Sequence, residues 1–198
     1  MSLTEYQDTI DEVIIDSDKE YITLHIPISE YDVSHAQIFT YFKDYLGERY
    51  WFQSKDNKFD NVGIGYRASI SRDRFKVERL TDEKKKLYDS IQMVTLTEEL
   101  TSRLSLFGGV KFDDKDTTDE WSDFSMAEFH LPVFQFDLIR QELFYTIPQN
   151  SQKLSDAFEE LVETLSALSE TEPDSYDGAE VNIIKDIFLR NKNLSRFH

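Results

Sequence analysis

Leu154, Ala157, Phe158, Leu161, Val162, Leu165 and Leu168 recur at intervals of three and four residues, a spacing that places them on one side of a helix. Such a stripe persists only when buried. The rest of the chain must therefore present an apolar surface of matching length, most simply a sheet. Ser151 stands where an N-cap would start this helix.

Upstream segments supply the sheet. Tyr21 to Ile28 (YITLHIPI) alternates β-branched and other apolar residues and reads as a strand limited by Pro27. A helix is predicted next, with Ser34 as N-cap, Gln37 completing a capping box, Val33 stapled onto Ile38, and Gly47 as the left-handed stop after Leu46. Arg49 to Ser54 and Phe59 to Ile70 flank the polar break Lys55-Asp56-Asn57-Lys58, which predicts a hairpin. Phe75 to Leu80 reads as a short strand and Asp82 to Met93 as a helix with Leu87, Tyr88 and Ile91 inward. Three further strand-like runs follow, Arg103 to Phe112, Ala127 to Phe136 and Leu138 to Ile147, the last two forming a meander around Asp137.

The fold class is therefore α+β, a large, mostly antiparallel sheet flanked by helices. Residues 1–169 form one lobe. Residues 170–198 read as a linker and the start of a connection: SETEPDSYDGAE carries Pro173 and Gly178 among acidic residues, and the apolar group from Val181 to Leu189 runs into RNKNLSRFH, an ending that looks like a cut.

Charge narrows the partners. Thirty-nine acidic against 22 basic residues give a formal charge of -17, which repels phosphate backbones and anionic headgroups, so neither nucleic acid nor membrane is an expected partner. No apolar run approaches the ~20 residues of a membrane span, and the start lacks a secretory pattern, so the cytoplasm is the expected compartment. The chain has no cysteine, which removes disulfides, thiolate metal sites and cysteine nucleophiles together.

No self-sufficient active site is visible. There is no P-loop, HExxH, Gly-x-Ser-x-Gly or EF-hand loop. Gly63 and Gly65 begin a dinucleotide fingerprint but lie inside a strand and lack the third glycine, so a bulge or close backbone approach is the better reading. Asp113, Asp114, Asp116, Asp119 and Glu120 crowd one loop without the glycine turn of a calcium site and read as a solvated acidic loop. His25, His35, His130 and His198 are scattered and read as structural or exposed. Arg67, Arg72, Arg74, Lys76, Arg79, Lys84, Lys85 and Lys86 interleave with Asp73, Glu78, Asp82 and Glu83, the pattern of a salt-bridged face rather than an anion site.

Two segments together resemble chorismate-utilising enzymes. RYWFQSKDNKFDNVGIGYRASI resembles the stretch where an aromatic strand (Tyr50, Trp51, Phe52) returns through Phe59 into a Gly-x-Gly strand (Gly63, Gly65). LFGGVKFDDKDTTDEWSDFSMAEFHLPVF resembles the following signature, Phe107-Gly108-Gly109 and Phe112-Asp113 ahead of Trp121, Phe124 and a strand into Leu131-Pro132. Order and interval are similar to the N-terminal half of menaquinone-pathway isochorismate synthases over about residues 20 to 148. The same glycines and aromatics also have scaffold roles of their own.

The resemblance implies an α+β sandwich and, for the full-length enzyme, conversion of chorismate to isochorismate with Mg²⁺ holding the substrate carboxylate. The Lys-Val-Val-Leu-type strand that opens the family's catalytic half is missing, and Lys185 does not match it. No catalytic, cofactor-binding or metal-binding residue is therefore assigned, and the chain alone is expected to be inactive, to need no cofactor, to partner a C-terminal half and to dimerise through the face that half would cover. The alternatives are a stand-alone ligand-binding or interaction module, or the equivalent half of a salicylate, anthranilate or aminodeoxychorismate synthase. The Leu-Leu-Glu-Ser signature of tryptophan binding is missing, which lowers the anthranilate relative.

Overall fold

The computed structural model describes residues 6–73, 77–111 and 125–173. In chain order the elements are α1 (Gln7–Asp11), β1 (Tyr21–Pro27), α2 (His35–Tyr41), β2 (Arg49–Gln53), β3 (Asp60–Ile64), β4 (Ala68–Arg72), α3 (Val77–Asp89), β5 (Ile91–Thr95), β6 (Phe107–Val110), β7 (Ala127–Leu131), β8 (Phe134–Asp137), β9 (Glu142–Pro148) and α4 (Leu154–Ser169). Among the described residues these build a six-stranded sheet, β2-β3-β8-β9-β1-β5, and a three-stranded sheet, β4-β7-β6. The large sheet is antiparallel except for its edge pair, where β5 runs parallel to β1 with Tyr21 opposite Ile91.

Alternation along the strands sorts the core. Ile22, Leu24 and Ile26 of β1, Leu143, Tyr145 and Ile147 of β9, and Phe134 and Phe136 of β8 join one cluster with Ile10 of α1, Ile38 of α2 and the stripe of α4. Leu154, Ala157, Phe158, Leu161, Leu165 and Leu168 are each at most 5% exposed, so the α4 stripe meets the sheet that its periodicity demanded. A fully buried Leu or Phe there contributes about 1.5–3 kcal/mol, and the six together outweigh any propensity term in the helix.

The other side of the large sheet is polar and also buried. Thr23, His25, Gln135, Asp137, Glu142, Phe144 and Thr146 occupy the alternate positions of β1, β8 and β9, and Gln135, Asp137 and Glu142 among them bond to the segment between β5 and β6. Phe107 at the start of β6 packs over Gly63 so closely that a β-carbon there would meet its ring at 2.9 Å.

Two long predicted strands are each divided. Phe59 to Ile70 becomes β3 and β4, and Ala127 to Phe136 becomes β7 and β8, one half of each in either sheet. They still pair with each other. Ile64 faces Phe134 and Ala68 faces Leu131, which leaves residues 65–67 opposite 132–133, one residue more on the first strand. This is a bulge, with Gly65 at φ +72 and Pro132 on the facing strand removing a ladder donor, and it turns the ribbon from one sheet into the next. Arg67 N–H to Leu131 carbonyl (2.7 Å) and Val133 N–H to Ile64 carbonyl (2.9 Å) hold the passage.

Other expectations need adjusting. The Ser34–Gln37 capping box forms, but α2 stops at Tyr41 and Gly47, at φ +79, serves the turn into β2 instead. The short strand at Phe75 to Leu80 is replaced from residue 77 by α3, and Ile91 and Met93 belong to β5, because the parallel place beside β1 is won by β-branched residues at 91–95. α4 is capped at Lys153, without a side-chain bond, while the Ser151 hydroxyl donates to the Pro148 carbonyl (2.8 Å). Residues 138–141 are the turn of the β8–β9 hairpin, with Gln141 at φ +55. Most of the predicted connection, from residue 174 on, lies outside the described residues.

Trp51, Phe52 and Phe59 of the β2–β3 hairpin are 43, 44 and 39% exposed, Trp51 on one face of the edge strand β2 against His35 and Phe52 on the other near Phe107. Among the described residues, no helix is long and apolar enough to cross a membrane.

Candidate functional site

Chemistry-bearing side chains gather at two places. The first is the polar side of the large sheet, where His25 and Glu142 meet although their Cα partners are offset: His25 sits opposite Phe144, and Pro27 opposite Glu142. His25 Nε2 and Glu142 Oε2 are 2.7 Å apart, both side chains 5% exposed, and the imidazole stacks on Phe144 at 4.1 Å. Glu142 also accepts from the backbone N–H of Thr101 (3.0 Å) and Ser102 (2.8 Å). Burial pushes the Glu142 carboxyl up, but those N–H groups and His25 outweigh it and hold the group below the ordinary carboxylate range. Burial lowers His25, against the pull of Glu142. The pair is thus a neutral imidazole donating to a carboxylate.

The network extends along the same face. Asp137 accepts from Ser102 Oγ (2.8 Å), from the N–H groups of Ile139 and Arg140, and from the Arg140 guanidinium (2.9 Å). Gln135 donates to the Arg103 carbonyl and accepts from Ser105 N–H. Its products are position and rigidity: each carboxylate is filled by donors, so neither is a free base.

The second place is a cleft of about 380 Å³ between the start of β2 and the small sheet, lined by Gly47, Tyr50, Tyr66, Gly108, Gly109, Val110, Lys111, Ser125, Glu128 and His130. Tyr66 and His130 stack with ring centres 3.7 Å apart and planes 6° from parallel. Tyr66 donates its hydroxyl to the Gly47 carbonyl (2.5 Å), so the 2.7 Å contact between Tyr50 and Tyr66 hydroxyls is donated by Tyr50. Burial, then that bond, pushes the Tyr50 phenol far above its ordinary value. Ser69 Oγ lies 2.7 Å from His130 Nδ1, and Glu128 Oε1 lies 3.4 Å from its Nε2. Burial lowers His130 despite the carboxylates of Glu128 and Glu48. The cleft is walled by aromatic faces, with Lys111 and Glu128 among its lining residues.

Each residue singled out in the sequence now has a place. Gly63 lies under Phe107, and Gly65 forms the bulge; neither opens a helix, so no dinucleotide turn exists there. His25 is in the buried network, His35 stacks on Trp51 at 4.1 Å, and His130 lines the cleft. In the basic run Arg72 pairs with Glu83 and Lys85 with Asp89 (2.7 Å), whereas Arg67 donates to the Thr146 backbone carbonyl (2.9 Å). The acidic loop at 113–120, Trp121, Phe124, Arg74, Lys76, Lys185 and His198 lie outside the described residues. Among the described residues no group of three or more His, Asp or Glu could hold a metal ion. Reading the sequence missed Glu142 and the cleft, since both are built across strands far apart in the chain.

A family model described as chorismate binding enzyme matches residues 8–194. Among solved structures, MenF, the menaquinone-specific isochorismate synthase from Escherichia coli, is similar with a TM-score of 0.45 and 14% identity, covering 83% of this chain and 34% of that one. The chain thus spans about a third of the length of that enzyme. No curated protein matches.

Proposed function

The chain belongs to the family of chorismate binding enzymes, and from that premise we propose that it is the N-terminal, non-catalytic portion of an isochorismate synthase of the menaquinone pathway. The observation that carries the reading is the extent of the family match, residues 8–194, together with the places of the motif glycines. Gly63, Gly65 and Gly108 are the positions where a side chain would collide with Phe107, with Val133 and Tyr45, and with the Glu128 carbonyl. The motif therefore fixes a scaffold: it closes the small sheet onto the large one and shapes a cleft wall.

The transposition adds water to one ring carbon of chorismate while a hydroxyl leaves another, which needs a base, an acid and a cation. In the family the cation is Mg²⁺, which would neutralise substrate carboxylate charge. The described residues do not fit it, since their buried carboxylates, Asp137 and Glu142, are already filled by donors, so no step through the metal is assigned to this chain. Its share is to hold the two sheets together.

Chromatography of chorismate incubated with Mg²⁺ and either the 198-residue chain or the protein extended through a catalytic half tests this. Isochorismate should accumulate only with the extended protein. Turnover by the chain alone, or anthranilate, salicylate or aminodeoxychorismate as the product, would overturn it.

A further inference from the structure

The small sheet brings a hydroxyl, an imidazole and a carboxylate into one line. β4 and β7 set Ser69 opposite His130, and Glu128 lies two residues before His130 on β7, so the three side chains share one face. Ser69 Oγ is 2.7 Å from His130 Nδ1, and Glu128 Oε1 approaches Nε2, across the ring, at 3.4 Å. A carboxylate beside Nε2 favours the tautomer that carries its proton there, which leaves the Nδ1 lone pair to accept from the Ser69 hydroxyl. Tyr66, stacked on the imidazole at 3.7 Å, holds the plane of the ring. Burial lowers the pKa of His130 against the carboxylates of Glu128 and Glu48, and so favours the neutral ring that can take up a proton. His130 is buried, whereas Ser69 is exposed. An exposed hydroxyl, bonded to a buried base that a third group orients, is the arrangement of an activated nucleophile, and the base–orienter contact in such sites is often long before substrate enters.

We propose that Ser69 is a nucleophile for acyl transfer, with His130 as its general base and Glu128 as a positioning residue, and that the small sheet hydrolyses small uncharged carboxylic esters. Ser69 Oγ bonds to the carbonyl carbon as its proton passes to His130 Nδ1. Collapse then breaks the bond to the leaving oxygen, which takes that proton and departs as the alcohol. Water attacks the acyl group by the same route, giving a proton to Nδ1, and the carboxylic acid leaves as Ser69 Oγ recovers it. Esters are the class because an alkoxide or aryl oxide leaves more readily than an amine, and uncharged ones because the formal charge of -17 repels anions. The activity is separate from the isomerisation assigned above and stands whether or not that assignment holds.

Diisopropyl fluorophosphate, which bonds phosphorus to an activated serine oxygen and releases fluoride, tests this on the 198-residue chain. The internal control is Ser71, next on the same face of β4, whose hydroxyl meets Ser125 Oγ instead of an imidazole. Peptide mass mapping should find Ser69 labelled about 10²-fold faster than Ser71, the low end of what a positioned base supplies. Labelling should also stop hydrolysis of p-nitrophenyl acetate, and Ser69→Ala should abolish that hydrolysis at an unchanged thermal midpoint. Glu128→Gln should slow labelling of Ser69 by about tenfold or more without moving the midpoint, and Glu128→Asp should restore part of the rate. No adduct on Ser69, equal labelling of Ser69 and Ser71, ester hydrolysis by Ser69→Ala equal to the parent, or Glu128→Gln labelled as fast as the parent would each overturn it.

Discussion

His25 Nε2 donates to Glu142 Oε2 over 2.7 Å with both side chains 5% exposed, and the same carboxylate takes the backbone N–H groups of Thr101 and Ser102. One side chain of β9 thereby fixes β1 and the segment entering β6. Glu142→Ala should cost about 3–5 kcal/mol, because a buried imidazole and two backbone donors lose their acceptor together. Glu142→Gln keeps one acceptor oxygen and should cost less. Urea unfolding of both variants checks the order, and equal midpoints would contradict the role given to the charge.

The same pair sets a pH dependence. His25 and His130 are both lowered from 6.5 by burial, so the unfolded chain takes up protons first as the pH falls below that value. Glu142 is held below its ordinary 4.5, so its contribution is full above that value and is lost as acid reaches the folded-state carboxyl. Stability should be level from pH 7 to 8, decline from about 6.5 downward and fall more steeply below about 4.5. Thermal midpoints across this range read the two phases, and His25→Gln should flatten the first.

Gly108 and Gly109 are adjacent in sequence and opposite in tolerance. Gly108 has φ +156 and no room for a β-carbon against the Glu128 carbonyl, whereas Gly109 faces open space. Gly108→Ala should destabilise by about 2 kcal/mol or more, and Gly109→Ala should be neutral or slightly stabilising through the unfolded state. Differential scanning calorimetry distinguishes them.

Thr23 Oγ1 and Thr146 Oγ1 share a hydrogen bond of 3.0 Å with neither residue exposed. Replacing either one with Val should cost about 1–3 kcal/mol by leaving its partner unsatisfied, while the double Val variant should lie close to the parent. A double-mutant cycle measures the coupling.

Much of this architecture was legible because it is local. The capping box at Ser34, the α4 stripe and the turn at residues 55–58 each depend on residues a few positions apart, and each formed where the pattern put it. Division of the two long strands was not legible: Gly65 and Pro132 only mark a bulge once the strands face each other. β5 was hidden by the charged run before it, because a helix read over Asp82 to Met93 takes in Ile91 and gives no sign that it will pair in parallel with Tyr21. Glu142 looks like any acidic residue, because its donors come from Thr101, Ser102 and His25 on other segments. The cleft joins residues 47, 66, 109 and 130, which only the bulged ribbon brings together.

The placing of β1 has a consequence during synthesis. β1 pairs with β9, Tyr21 opposite Pro148, so the strand leaves the ribosome well before its central partner exists. At ~5–20 residues per second the wait is roughly 6–25 s, during which the run Tyr21–Pro27 has its future neighbours only in β5, itself untranslated for the first part of it. Nascent chains of this protein should therefore carry an adhesive apolar strand for seconds before its partner in β9 is made.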